Sequence, residues 1–292
     1  MRALLIGNTG QLGWELERAP LPPCELTAVD YPQIDLLDPD SIRHWIGEIQ
    51  PDLILNAAAY TAVDQAEAEP DMAQAINGVA PGVLAELAKP LDAILIHFST
   101  DFVFDGRKGE PYREEDPPLP VNTYGRTKLA GEKAALQVGG QVFIFRTSWL
   151  YSMRKESFLT KVLRWSRSQE ELRIVSDQTG SPTWARTLAE VTARSVSVLC
   201  DQSRDWRMEQ AGIYHTAGIG AATRFEWAEK ILALDPKHEE QVTHTLSKAC
   251  SSDFDTPAQR PEYSALDCGK FQGVFDLFYT PWQASLEAAL SV

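Results

Sequence analysis

Cysteine is scarce in this chain and widely spread. Cys24, Cys200, Cys250 and Cys268 are the only four in 292 residues, and no two form a C-x-x-C pair. A disulfide framework needs denser cysteine, so inert thiols are expected. The five histidines (His44, His97, His215, His238, His244) show no H-E-x-x-H or comparable ligand spacing, which disfavours a zinc enzyme. No apolar run approaches the roughly 20 residues of a membrane span. The apolar stretch around Ala3–Ile6 is too short for a signal peptide. A reduced cytoplasm is therefore the expected compartment. Basic residues are also in deficit: 27 Lys and Arg stand against 41 Asp and Glu, a net charge of −14. Such a surface repels phosphate backbones, which disfavours general binding to nucleic acid or anionic membranes. A small anionic ligand stays compatible, because local backbone N–H groups can outweigh net charge.

The remaining composition is that of a globular protein, with 44% hydrophobic and 23% charged residues. Short, almost wholly apolar runs at Ala3–Ile6, Leu26–Val29, Leu53–Leu55, Ala93–Phe98 and Val142–Phe145 read as strands buried on both faces. Helical segments alternate with them. Asp38-Pro39 opens one that runs to about Gln50, and Pro81–Lys89 and Thr123–Leu136 are alanine-rich. This alternation predicts an α/β fold: a doubly wound parallel sheet of Rossmann type over 1–150. Residues 151–292 are less regular and are expected to form a smaller, substrate-binding lobe, part of which packs back on the sheet. Helices are expected at Phe158–Ser168, Thr187–Leu199 and Arg224–Leu234, and strands at Leu172–Val175 and Ile213–His215. Asp201–Gly212 and Ser247–Glu262 read as loops.

Gly7-Asn8-Thr9-Gly10-Gln11-Leu12-Gly13 reads G-x-x-G-x-x-G between a strand and a helix. Glycines there permit a tight turn and close approach of backbone to a pyrophosphate, which the helix N-terminus then faces. Tight turns alone also want glycine. Asp30 ends the second strand, where a carboxylate can accept from adenosine ribose hydroxyls. No Arg stands beside it to welcome a 2′-phosphate, so NADH is as plausible as NADPH. Asp35 and Leu36 either flank the adenine or form a simple loop.

Tyr124 and Lys128 lie four apart at the start of a helix and share a face. An ammonium beside a phenol lowers its pKa from about 10 toward the working range. Ser99-Thr100-Asp101 follows the strand Ala93–Phe98, and strand carboxyl ends are where ligands bind in such sheets. Thr100 is therefore placed to hydrogen-bond a substrate carbonyl with Tyr124. In isolation Y-x-x-x-K is weak, since a core Tyr near a surface Lys gives the same pattern.

The glycine loop with Tyr124 and Lys128 resembles the extended short-chain dehydrogenase/reductase superfamily. Further strings resemble its dTDP-4-dehydrorhamnose reductase family: residues 10–16 (GQLGWEL), 56–64 (NAAAYTAVD), 99–106 (STDFVFDG), 122–132 (NTYGRTKLAGE), 146–151 (RTSWLY), 177–183 (DQTGSPT) and 260–267 (RPEYSALD). They occur in order over nearly the whole chain. The resemblance implies hydride transfer from NADPH or NADH to the C4 ketone of a dTDP-4-dehydro sugar. It implies that Tyr124 donates the proton, that Lys128 lowers its pKa and holds the nicotinamide ribose, and that Thr100 assists at the carbonyl. Gly10, Gln11 and Leu12 would contact pyrophosphate, Asp30 the ribose, Asp35 and Leu36 the adenosine, and Ala59, Tyr60 and Thr61 the cofactor. Thr100, Asp101 and Trp149 would face the sugar, and Arg260 the nucleotide diphosphate.

Trp149 equally fits core packing, Arg260 a solvated loop, and Gln178 and Thr183 a Gly-Pro turn. Tyr60 and Phe102 depart from the pattern, standing where some members carry His and many carry Tyr. Some members dimerise through a magnesium site of glutamates. Glu15 is present here, but Arg186 stands at the matching later position, and an Arg cannot ligate a hard cation. Magnesium is therefore doubtful, no metal is expected, and a monomer or weak homodimer follows. The competing functions are a nucleotide-sugar epimerase or dehydratase, and a dinucleotide-binding regulator resembling the methionine adenosyltransferase β subunit. Phe102, where a dehydratase carries an acid after Thr-Asp, argues against that class.

Overall fold

The computed structural model describes residues 1–291. Six parallel strands form the central sheet. The first five are β1 (Arg2–Ile6), β2 (Glu25–Val29), β3 (Leu53–Asn56), β4 (Ile94–Thr100) and β5 (Val142–Thr147). The sixth, Gly212–His215, adds beside β5, giving the spatial order β2-β1-β3-β4-β5 and then Gly212–His215. Every strand read from the first half of the sequence is present. The apolar runs are explained by burial on both faces. In β1, Ala3 and Leu5 face one core layer while Leu4 and Ile6 face the other; in β5, Phe143 and Phe145 oppose Val142 and Ile144.

Helices α1 (Gln11–Leu16), Ala185–Asp201 and Gly269–Phe275 cover the first face through Leu12, Leu16, Leu188 and Phe271. On the other lie α2 (Pro39–Ile49), α5 (Ala80–Ala88) and α6 (Thr123–Val138), with α3 (Val63–Ala68) and α4 (Pro70–Ala73) preceding α5. Asp38 caps α2 by accepting from Asp40 N, with Pro39 in the first turn, as the sequence suggests. Strand order reverses across β1, whose neighbours β2 and β3 run on opposite sides. Ligands in open α/β sheets bind at such a switch point.

A third apolar core, around Tyr151, Leu159, Val162, Leu172, Trp227, Ile231 and Trp282, lies beside the sheet's carboxyl edge. It joins the helices Phe158–Ser166, Arg224–Leu234 and Trp282–Leu290 to a parallel strand pair, Glu171–Val175 and Thr245–Ala249. Two loop expectations are corrected here. Residues 201–212 contain the helix Arg204–Gln210, started by Ser203, whose hydroxyl accepts from Trp206 N. Residues 247–262 begin inside the strand Thr245–Ala249. The helix Arg204–Gln210 is polar in sequence because none of its residues is buried. Among the described residues, no helix is long and apolar enough to cross a membrane.

Candidate active site

The glycine turn closes β1 onto α1. Gly7 has φ +90°, and a Cβ there would stand 2.7 Å from the backbone nitrogen of Ala58 on the neighbouring strand's exit. A Cβ on Gly13 would fall 2.0 Å from the Gly7 carbonyl oxygen, so the third glycine serves helix packing rather than ligand contact. Gly10 starts α1 in an extended conformation and no side chain caps the helix. The first-turn N–H groups of Gln11 and Leu12 thus lack a side-chain acceptor, and both residues line a cleft of about 670 Å³. These features fit a dinucleotide pyrophosphate. Asp30, also in the cleft wall, is fixed by Thr9 N (3.1 Å) and Thr9 Oγ1 (2.5 Å) on one oxygen and by Tyr31 N (2.8 Å) on the other.

The start of α6 is held tightly. Asn122 Oδ1 accepts from Gly125 N at 2.7 Å, and Asn122 Nδ2 donates to Gln259 O at 2.7 Å. Thr123 donates through N and Oγ1 to Glu67, at 2.7 and 2.6 Å. Gly125 is pressed so close to the turn after β4 that a Cβ would meet the Phe102 carbonyl at 2.1 Å. This clamp aims Tyr124 and Lys128 into the cleft beside Thr100. Phe102 meets the Tyr124 ring edge-on, with centroids 5.8 Å apart. Lys128 is buried and donates to Phe98 O at 2.6 Å and faces His97 Nε2 at 3.2 Å. Burial brings its pKa down to about 8, while Glu132 acts to raise it.

One electrostatic expectation is corrected. The Tyr124 phenol is pushed up to about 12 rather than lowered: burial raises it, the Thr100 hydroxyl partly offsets this, and Asp101 adds to it. The reason is geometric, since the Lys128 donors engage Phe98 O and His97. The phenol is therefore protonated at neutral pH, as a proton donor must be. Asp101 sits in the wall, but its carboxylate accepts from Thr100 Oγ1 (3.1 Å), Ser148 Oγ (2.9 Å) and Ser264 Oγ (2.5 Å). Burial pushes its carboxyl upward, against those three hydroxyls. It braces Thr100 and ties the end of β4 to the chain's last third.

At the cleft's other end, Trp149 (φ +44°) lays its indole on Gly180, where a Cβ would come within 2.3 Å of the ring. Trp149 stacks on Trp227 at 5.6 Å, and the Arg224 guanidinium lies 3.5 Å above the Trp149 ring and 4.9 Å from Phe158. Burial pulls the Arg224 pKa down, but a guanidinium stays charged at neutral pH.

Gly7, Gly10, Gln11, Leu12, Asp30, Ala59, Thr61, Thr100, Asp101, Tyr124, Lys128 and Trp149 thus meet in one cleft. Other expected site residues are placed elsewhere. Asp35 closes a local turn, accepting from Leu37 N at 2.9 Å, and Leu36 packs on the core layer holding Val29 and Ile34. Tyr60 gives its hydroxyl to Glu69 at 2.6 Å. Arg260 is paired with Asp64 at 2.6 Å. Thr183 donates to Ser181 O within the Gly-Pro turn, whereas Gln178 donates to Ser251 Oγ in a distant segment. Glu15 meets Arg186 at 3.4 Å, and among the described residues no group of three or more His, Cys, Asp or Glu is gathered as for a metal. Sequence reasoning missed Phe158, Arg224 and Trp227. Each lies in or beside a helix that was read correctly, and nothing in helical periodicity marks which member faces a cleft.

The model of a family described as RmlD substrate binding domain matches residues 1–292. The dTDP-4-dehydrorhamnose reductase of Escherichia coli K12 is 38% identical over 298 aligned residues, covering 100% of this chain and 97% of that one. A Bacillus anthracis dTDP-4-dehydrorhamnose reductase, solved in complex with NADP, superposes with a TM-score of 0.88 at 31% identity, over 99% of this chain and 98% of that one. The Clostridium acetobutylicum ortholog gives 0.90 at 29%, over 100% and 99%. With the fold, the cleft and these similarities in agreement, the chain belongs to the dTDP-4-dehydrorhamnose reductase family of oxidoreductases.

Proposed function

We propose that this protein reduces the C4 ketone of dTDP-4-dehydro-β-L-rhamnose to dTDP-β-L-rhamnose with NADPH or NADH. The observation that carries this reading is that Thr100, Tyr124 and Lys128 bound the same cleft as the glycine turn and Asp30. The reduced nicotinamide, when bound, supplies the hydride. Gln11 and Leu12 offer backbone N–H groups to the pyrophosphate, and Asp30 accepts from the adenosine ribose. Lys128 directs its remaining N–H toward the nicotinamide ribose. The Tyr124 hydroxyl holds the O4 oxygen and gives it a proton as negative charge develops, and the Thr100 hydroxyl turns from Asp101 to donate to O4 when the sugar binds. Trp149 offers a face for the sugar. Arg224 supplies positive charge for the nucleotide diphosphate, the role that Arg260 cannot readily fill while paired with Asp64. Asp35, Leu36 and Tyr60 act indirectly, by shaping the walls behind Asp30 and Ala59. The protein works as a monomer or weak homodimer, without a metal.

The test is oxidation of NADPH and of NADH at 340 nm with enzymatically generated dTDP-4-dehydro-L-rhamnose. Turnover with the sugar nucleotide supports the reading. Dinucleotide binding without turnover would move it to another keto-sugar or to the regulatory alternative.

A further inference from the structure

Behind the cleft, three side chains from three elements form a buried polar line. Asn56 on β3 and His97 on β4 are register neighbours, and His97 faces Lys128 on α6. All three are about 1% exposed. The Lys128 ammonium has no carboxylate of its own. Glu132 is bound by Arg146 and Ser99. The protein acceptors at the Lys128 ammonium are Phe98 O and His97 Nε2. The tautomer of His97 therefore decides whether Lys128 is satisfied.

One assignment gives both the His97 ring N–H and the Lys128 ammonium an acceptor. With Asn56 Nδ2 set 3.0 Å from His97 Nδ1, the ring proton must sit on Nε2 and oppose the ammonium donor to donor. The same setting leaves Asn56 Oδ1 buried without a partner. Rotating the amide by half a turn places Oδ1 against an Nδ1–H and frees the Nε2 lone pair for Lys128. Burial and the Lys128 charge both keep the ring neutral, so this lone pair persists through the working pH range.

We propose, on the reductase reading above, that His97 is a positioning residue of the reaction, locked by Asn56 as the Nδ1–H tautomer so that its Nε2 holds Lys128 as an oriented ammonium. The charged or titratable groups around Lys128 are His97 from β4, Glu132 and Tyr124 from its own helix, Arg146 from β5 behind Glu132, and Asp101 past the end of β4.

The test is the pH profile of kcat/KM for wild type, His97→Leu and His97→Gln, with Tyr124→Phe as control. His97→Leu removes the acceptor. Its alkaline limb, set by Lys128, is expected to fall by about one to two pH units, the worth of a charge-assisted hydrogen bond. KM for the cofactor is expected to rise as well. In His97→Gln, Oε1 reaches the Nε2 position and the limb returns. A shared loss in both variants with an unmoved limb would mean a packing role only and would overturn the proposal. Nitrogen-15 chemical shifts of the His97 ring in the wild-type protein give a readout that needs no variant to fold. Protonation at Nδ1 is expected, and protonation at Nε2 would overturn the proposal. Activity retained in Tyr124→Phe would remove the reductase reading instead, leaving the tautomer result standing.

Discussion

The buried ion pair behind the active site gives a prediction whose size follows from the structure. Glu132 on α6 receives Arg146 Nε at 2.9 Å and Arg146 Nη2 at 2.6 Å, and also Ser99 Oγ at 2.5 Å. The side chains are 1% and 2% exposed. Replacing Glu132 by Gln keeps the shape and strands the guanidinium, whose Nη1 already lacks a partner. Removing one member of such a pair costs about 3–5 kcal/mol. Gln retains one acceptor, so the lower end, about 3 kcal/mol, is expected. At about 2 °C per kcal/mol for a chain of this length, the melting temperature should fall by roughly 6 °C. Glu132→Gln combined with Arg146→Met should recover most of the loss, because no unpaired charge remains. Urea unfolding with linear extrapolation measures both variants. Glu132 also raises the Lys128 pKa, so activity of the single variant should weaken more at pH 8 than at pH 6.5. A loss below about 1 kcal/mol in the single variant, or no recovery in the double, would refute the reasoning.

Three further outcomes are expected. Gly13→Ala places a Cβ 2.0 Å from the Gly7 carbonyl and should push α1 from the sheet, weakening dinucleotide affinity at least tenfold by titration calorimetry. Gly47→Ala, exposed within α2 with nothing in reach, should instead stabilise by about 0.5–1 kcal/mol and leave affinity unchanged. His215 is held neutral by burial, its pKa brought down to about 3. Its contribution to stability is thus complete above the unfolded value near 6.5 and is lost as pH falls toward 3, approaching about 1.4 kcal/mol per pH unit. Buried His97 adds to this slope, while Asp101 and Glu114, pushed up by burial, oppose it. Unfolding free energies of wild type and His215→Phe between pH 6.5 and 5 should diverge by that slope; parallel curves would contradict it.

The sheet was legible because burial on both faces writes itself as unbroken apolar runs, as in Leu53–Leu55 and Val142–Phe145. The strand at Gly212–His215 could be read locally, but not its place beside β5, which pairs residues 69 apart in the chain, as Gly212 with Phe143. The helix Arg204–Gln210 escaped because its residues are mostly charged and its chief anchor is Trp206. The glycine turn, Thr100, Tyr124 and Lys128 were legible as patterns. Their electrostatics were not: spacing brings Tyr124 and Lys128 to one face, but only the packed structure turns the ammonium toward Phe98 O and His97 and leaves the phenol at about 12. Arg224 was invisible for a related reason. Its role depends on Trp149 and Phe158 converging on it from distant segments.

Proton donation by Tyr124 is tested most directly by comparing wild type with Tyr124→Phe in the 340 nm assay, using both reduced dinucleotides and dTDP-4-dehydro-L-rhamnose. Loss of the phenol should lower kcat by about 10²–10⁴-fold, with dinucleotide binding and melting temperature unchanged. Sugar-dependent oxidation at the wild-type rate in Tyr124→Phe, or none in the wild type, would contradict it.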